Sequence, residues 1–291
     1  MSTQTTLAAW LDQPPLAVTP LHKGTTSNAC LVETADGSYI LRRVSREAAE
    51  VEYAASRLLD DAGMAAKILP TRTGQGWMEQ DGACFNLQRR IVGTAIRSCD
   101  ADTFRAAGCA LGCMHMALSG CRDTGVQDRF SLSALLARAT SRHPFLKTQN
   151  PEAQTLHQLA ARLRPLEDAQ VQLIHGDLGV WNMLRTRDGV AFIDFGEARQ
   201  GHPYMDIAAA MTSLFALEQD EMRLASDASL FLDSYAFEAG PVDRPLLTEY
   251  MNLWQLRGVL AEMVYRTDVD QGLAFLAKGL AALRRYALLM T

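Results

Sequence analysis

Three oxygen-bearing side chains lie close together in the chain: Asp177, Asn182 five residues later, and Asp194 at the end of a short apolar run. Their types suit phosphoryl transfer. An acceptor hydroxyl needs one carboxylate to orient it and take its proton, while nucleotide phosphates need Mg²⁺ held by a second carboxylate and an amide oxygen. Asp177, Asn182 and Asp194 supply such a set, within a stretch that reads LIHGDLGVWNMLRTRDGVAFIDFGEARQGHPYMDIA from Leu173 to Ala208.

The elements that must position these groups can be read from the residues between them. Arg187-Asp188-Gly189 is a turn signal between two short apolar runs, Met183-Leu184 and Val190 to Ile193. A hairpin is therefore predicted, folding Asp194 back beside Asn182. Two hard oxygen ligands meeting at one point suit Mg²⁺, which takes one or two protein ligands and completes its shell with water and phosphate.

With HGDxxxxN at His175 to Asn182, IDFG at Ile193 to Gly196 and YMDIA at Tyr204 to Ala208, the chain resembles the protein-kinase-like small-molecule phosphotransferases. That group includes aminoglycoside phosphotransferases, choline kinases and type II homoserine kinases. The resemblance implies roles: Asp177 as catalytic base, Asn182 and Asp194 as Mg²⁺ ligands, Asp206 as a carboxylate bracing the catalytic loop, and His175 as an architectural residue. It implies ATP and Mg²⁺ as cofactors.

A kinase of this kind also needs a phosphate-covering hairpin, a cation on the next strand and a helical glutamate to position it. Lys23-Gly24-Thr25-Thr26-Ser27-Asn28 joins two extended runs and resembles the family's small polar phosphate loop, with Gly24, Thr25, Ser27 and Asn28 beside the phosphates. In the following strand, Ser38 to Arg43, Arg42 stands where the family usually has lysine. An arginine there is longer, always charged and presents a planar fork, so it is not a neutral replacement. A helix is predicted from Arg46 to Ala62, with Val51, Ala55, Leu58, Leu59 and Ala62 as its apolar stripe. Glu52 flanks that stripe, at the place of the family glutamate that pairs with the strand cation. Strands around Trp77-Met78 and Cys84 to Gln88 complete a small sheet. Arg89 to Gly93 resembles the hinge under the adenine, which puts Arg89 and Ile91 among the nucleotide-binding residues.

After the hinge the pattern turns helical. Phe104, Ala107, Leu111, Met114 and Leu118 repeat at helical spacing over Ala101 to Leu118, with His115 beside them as a core residue. Arg142 to Glu152, with Pro144 and Pro151, reads as a loop, and Tyr250 to Arg266 and Gln271 to Met290 as helices. The 291 residues, 48% hydrophobic, suffice for two lobes. These are expected at 1–92, binding nucleotide, and at 93–291, carrying catalysis and the acceptor site. The fold class implied is α+β, a protein-kinase-like pair of lobes with an N-terminal antiparallel sheet and one main helix before a larger, mostly helical part.

No apolar run approaches the roughly 20 residues that span a bilayer. The N-terminus has no basic segment followed by an apolar stretch, so the expected location is cytoplasmic. The six cysteines show no CxxC spacing, and only Cys109 and Cys113 share a helical face; buried free thiols are expected. Through Arg97 the chain has equal numbers of basic and acidic residues, so the whole acidic excess behind the net charge of −5 lies beyond it. This tilts the acceptor towards a cation and excludes a basic nucleic-acid stripe. The expected reaction is transfer of the ATP γ-phosphoryl group to a hydroxyl of a small molecule, an amino alcohol or a homoserine-like compound. The alternatives are an aminoglycoside phosphotransferase, a protein Ser/Thr kinase, and a nucleotide-binding pseudokinase suggested by Arg42.

Overall fold

The computed structural model describes residues 6–21, 29–59, 63–121, 124–218 and 220–289. Its N-terminal part is built on strands β1 (Ala17–Leu21), β2 (Ala29–Thr34), β3 (Gly37–Val44), β4 (Met78–Gln80) and β5 (Ala83–Arg89). They form one antiparallel sheet in the order β1-β2-β3-β5-β4. Alternation along these strands sends Val32, Leu41 and Leu87 to one face, where they pack with Leu7 as a small core. Helix α1 (Arg46–Leu59) is capped by Ser45, whose Oγ accepts the Ala48 N–H at 3.1 Å. It buries Val51, Ala55 and Leu59, as its apolar spacing requires, and Glu52 with them. The predicted helix end at residues 60–62 lies outside the described residues, as does 22–28, which includes 23–28, read as the phosphate loop.

Strand β6 (Thr94–Ala95) leads into helix α2 (Ala101–Leu118), started by Asp100, whose side chain accepts the Thr103 N–H. Its bounds are those the sequence predicts. Helices α3 (Leu132–Arg142) and α4 (Pro151–Leu163) follow. The stretch between them, read as one loop, contains a single tight helical turn at Pro144–Lys147 and ends where Asn150 caps α4. Pro151 marks a helix start here, because the first turn has no use for the missing N–H.

The chain then forms β7 (Gln172–Ile174), β8 (Met183–Arg185), β9 (Val190–Phe192) and β10 (Arg199–Gly201). Strands β10 and β7 pair, and β6, β8 and β9 make a second small sheet. Helices α5 (Tyr204–Phe215), α6 (Glu221–Ala239), α7 (Arg244–Tyr265) and α8 (Gly272–Leu289) complete the helical part. Helix α7 begins six residues before the predicted Tyr250. Asp243 caps it, and Pro245 sits in its first turn, where the missing N–H costs nothing. A single large core runs through the helices and reaches α1 through Val51, Ala55 and Leu59. The 173–208 segment is thus held between a thin sheet and a thick helical base, the two-lobed kinase-like arrangement.

Candidate active site

The floor of the site is a turn suspended from one carboxylate. Strand β7 ends at Ile174, and the chain bends through His175-Gly176-Asp177, with Gly176 at φ +83°. A Cβ there would lie 2.2 Å from both Arg199 Nη1 and the Glu197 carbonyl oxygen, so only glycine fits in both conformation and space. Asp206, in the first turn of α5, accepts the backbone N–H of His175 at 2.6 Å and of Gly176 at 2.9 Å. His115 Nε2 lies 3.2 Å from the same carboxylate, and His115 Nδ1 lies 2.9 Å from the Tyr235 hydroxyl. Asp206 is 1% exposed. Burial alone would push its pKa up, but the His115 hydrogen bond, the neighbouring imidazoles and the Gly176 N–H outweigh it and hold the pKa below the usual aspartate value.

His175 is fully buried, and its Nε2 donates to the Ile193 carbonyl at 3.0 Å, so the ring ties the turn to the strand that delivers Asp194. It packs against Phe195, with ring centroids 4.5 Å apart.

Asp177 stands at the rim, half-buried. Trp181 Nε1 and Asn182 Nδ2 both donate to its Oδ2, each at 3.3 Å. Its Oδ1 has no hydrogen-bond donor among the described residues. Burial pushes the Asp177 carboxyl above the usual aspartate value, against the opposing pull of His175 and the Trp181 bond.

Asn182 gives its stronger N–H bond to the Asp177 carbonyl at 2.8 Å, which leaves its oxygen as the atom it can offer a cation. The predicted hairpin is present: Met183 pairs with Phe192, and the Ile193 N–H donates to the Asn182 carbonyl at 3.0 Å. Asp194 follows directly, with φ +65° and ψ +63°. A left-handed aspartate is uncommon and strained, and this one turns its carboxylate out of the strand into the cleft, where it is 50% exposed. The donor set, one carboxylate and one amide oxygen, is hard and fits Mg²⁺.

Above this, the N-terminal sheet brings a cation to the same point. Arg42 on β3 reaches Glu52 Oε1 through Nη1 at 2.6 Å and Asp194 Oδ1 through Nη2 at 2.5 Å. The Arg42–Glu52 pair implied by the resemblance therefore forms, and the same guanidinium spans on to Asp194. Burial opposes the Arg42 charge, but the two carboxylates outweigh it and raise its pKa. Asn86 Nδ2 and Gln88 Nε2 donate to Glu52 Oε2 at 2.6 and 3.2 Å. Arg43, one residue on, is exposed. Gly196 lets α1 close in: a Cβ there would stand 3.2 Å from Glu52 Oε1 and 3.3 Å from Asp194 Oδ1.

Of the remaining sequence-predicted residues, Gly24, Thr25, Ser27 and Asn28 lie outside the described residues. Arg89 closes β5 with an exposed side chain, and its N–H is already given to the Lys67 carbonyl at 2.7 Å. Ile91 is partly exposed in the connection that follows.

Sequence reasoning missed Asn86 and Gln88, which alternate along β5 (ACFNLQR) and reach Glu52 only through its pairing with β3. It also missed Trp181, which is 56% exposed beside Asp177, and Arg199, a buried guanidinium whose Nη1 donates to the Gly176 carbonyl at 3.0 Å.

Residues 17–240 match the model of the phosphotransferase enzyme family, APH. No curated protein sequence matches the chain significantly. Among solved structures, an amicoumacin kinase in complex with AMP-PNP, Ca²⁺ and Ami is similar at TM-score 0.72 and 18% identity, over 97% of this chain and 92% of that one. A microcompartment-associated aminopropanol kinase gives TM-score 0.67 at 18% identity, over 99% and 97%. The choline kinase LicA from Streptococcus pneumoniae gives 0.62 at 19%, over 94% of each chain. At these identities the structural likeness establishes the fold. With the family model spanning most of the chain over that fold, the protein belongs to the phosphotransferase enzyme family and is a kinase-type phosphotransferase.

Proposed function

We propose that this enzyme transfers the γ-phosphoryl group of ATP to a hydroxyl of a small molecule, with Asp177 as the base. The observation that carries the reading is the Asp177 carboxylate itself, with both side-chain donors on one oxygen and no donor on the other among the described residues. Asp177 Oδ1 takes the acceptor proton as the new O–P bond forms and the bond to the ADP oxygen breaks. Trp181 and Asn182 fix the carboxylate while this happens. Asn182 and Asp194 would hold Mg²⁺, which when bound would neutralise charge on the phosphates. Arg42, kept in place by Glu52, is the cation for those phosphates.

For the acceptor we favour an amino alcohol or a homoserine-like compound. The acidic excess beyond Arg97 supports a cationic acceptor, and two of the similar structures carry the names aminopropanol kinase and choline kinase. The amicoumacin kinase and a spectinomycin phosphotransferase among the neighbours support an aminoglycoside-like antibiotic as the second reading. Among the described residues no helix is long and apolar enough to cross a membrane.

The test is ADP release from Mg²⁺-ATP by the purified enzyme, offered amino alcohols, homoserine and aminocyclitol antibiotics in parallel. Acceptor-dependent release with amino alcohols, abolished by Asp177→Asn, is the expected result. Release with antibiotics alone would replace the favoured acceptor class. Acceptor-dependent release that survives Asp177→Asn would overturn the role of Asp177.

A further inference from the structure

Helix α2 carries the repeat Gly108-Cys109-Ala110-Leu111-Gly112-Cys113 on the side facing α6. The glycines let the two backbones touch. A Cβ on Gly108 would stand 2.2 Å from the Phe231 carbonyl oxygen, and one on Gly112 would stand 2.7 Å from Glu238 Cβ and 2.9 Å from the Tyr235 carbonyl oxygen. Next to each glycine, and one helical turn apart, Cys109 and Cys113 line the edge of this seam, and Glu238 reaches it from α6. The two sulfurs and one carboxylate oxygen all lie within 4.8 Å of one another, and Cys109 Sγ donates to Glu238 Oε1 at 3.4 Å. All three residues are partly buried, and both thiols are free.

We propose that Cys109, Cys113 and Glu238 form a binding site for a thiophilic divalent cation of the Zn²⁺ type, clamping α2 to α6. Bond lengths to sulfur of about 2.3 Å and to oxygen of about 2.0–2.2 Å make the edges of a tetrahedral site roughly 3.5–3.8 Å. A contraction on the order of 1 Å from the present spacing closes it, with water as the fourth ligand. On binding, each thiol releases its proton to solvent as a sulfur–metal bond forms, and no electrons move.

The surroundings favour a cation over redox chemistry. Burial and then the Glu238 carboxylate push both thiols up, Cys113 to about 12, which makes them poor nucleophiles, while a bound cation relieves the same crowding of negative charge. Mg²⁺, which prefers oxygen, is a poor competitor here. The clamp would bear on the active-site floor: Tyr235 lies one turn before Glu238, and it holds His115, which in turn holds Asp206.

The test uses the full-length reduced protein, stripped with EDTA and titrated with Co²⁺ as a spectroscopic stand-in for Zn²⁺. Expected are thiolate-to-cobalt charge-transfer absorption saturating at about one ion per chain, loss of that absorption on adding Zn²⁺, release of about two protons per ion, and a higher unfolding temperature. The Cys109→Ser/Cys113→Ser variant loses the absorption, and Glu238→Gln weakens binding by on the order of tenfold. Absence of charge-transfer absorption in the wild-type protein would overturn the proposal, as would equal absorption in the double variant. The wild-type titration decides even if a variant fails to fold. The Asn182–Asp194 pair offers only oxygen and nitrogen atoms and gives no sulfur band, so the outcome is independent of the proposed phosphotransfer.

Discussion

Asp206 and Asp177 belong to one loop system, yet their surroundings are opposite. At the floor, Asp206 is fully enclosed and receives two backbone N–H groups and an imidazole. At the rim, Asp177 is half-buried and, among the described residues, receives two long side-chain bonds, both on one oxygen. The first carboxylate lies below its usual pKa and the second above it. The difference teaches how the loop separates scaffold from chemistry. A carboxylate that must hold a backbone turn is saturated with donors. On the proposed reading, the carboxylate that takes the acceptor proton is kept short of them, so that part of its basicity remains available.

The largest effect expected from breaking this contrast is at the rim. Asp177→Asn should lower turnover by about 10² to 10⁴, because the proton acceptor is lost. Folding should be unharmed or slightly improved, since a poorly solvated charge is replaced by a neutral group of the same shape. Steady-state kinetics and thermal unfolding of the one variant check both halves. A variant that lost stability along with activity would show that Asp177 is part of the scaffold.

At the floor the effect should fall on stability instead. Asp206→Ala strands the His175 and Gly176 N–H groups and the His115 ring, a loss of about 3–5 kcal/mol by analogy with breaking a buried pair. Asp206→Asn, which keeps an acceptor oxygen, should cost less. Urea unfolding measures both, and an Asp206→Ala variant as stable as wild type would remove the distinction between floor and rim.

The same contrast predicts an acid limb. Asp206 has a folded-state pKa below its unfolded value, so its contribution to stability is present above the ordinary aspartate pKa of about 3.9 and is lost as pH falls through the lower folded value. Stability of the wild type should therefore decline over that acid window, and Asp206→Asn should flatten the decline. Unfolding free energy measured against pH in both proteins checks the sign.

How far the site was legible from sequence follows from how locally it is built. Asp177, Asn182 and Asp194 lie within one short stretch, and a turn signal at Arg187 to Gly189 was enough to fold them together. Arg42 and Glu52 come from a strand and the helix after it; alternation and helical period gave the elements, and the family resemblance gave the pairing. Three parts were not legible. The Asn86 and Gln88 bonds to Glu52 depend on which strand neighbours β3, a long-range pairing that no local pattern states. The approach of α2 to α6 at Gly108 and Gly112 depends on helix packing, and glycines in a helical pattern read only as weak helix formers. The start of α7 was obscured because a proline interrupts propensity in the same way whether it begins a helix or ends one.

The smallest predicted effect sharpens the comparison by carrying it to the third carboxylate, Asp194. Arg42 joins Glu52 and Asp194 through two nitrogens of one planar group, 2.6 and 2.5 Å from their oxygens. A lysine ammonium is a point charge on a flexible stem and cannot hold that two-pronged geometry. Arg42→Lys should keep the charge and the contact with buried Glu52 but loosen the hold on exposed Asp194. The expected outcome is a rise in the KM for ATP on the order of tenfold, about 1.4 kcal/mol, with a smaller change in kcat. Arg43→Ala, exposed on the same strand, should stay within about 0.5 kcal/mol of wild type in stability and leave KM unchanged. If Arg42→Lys binds ATP as tightly as wild type, the bridge to Asp194 contributes nothing to nucleotide binding, and the arginine is an ordinary replacement for the lysine usual at this position. If KM rises as expected, the cation at the roof of the cleft works through its shape as well as its charge.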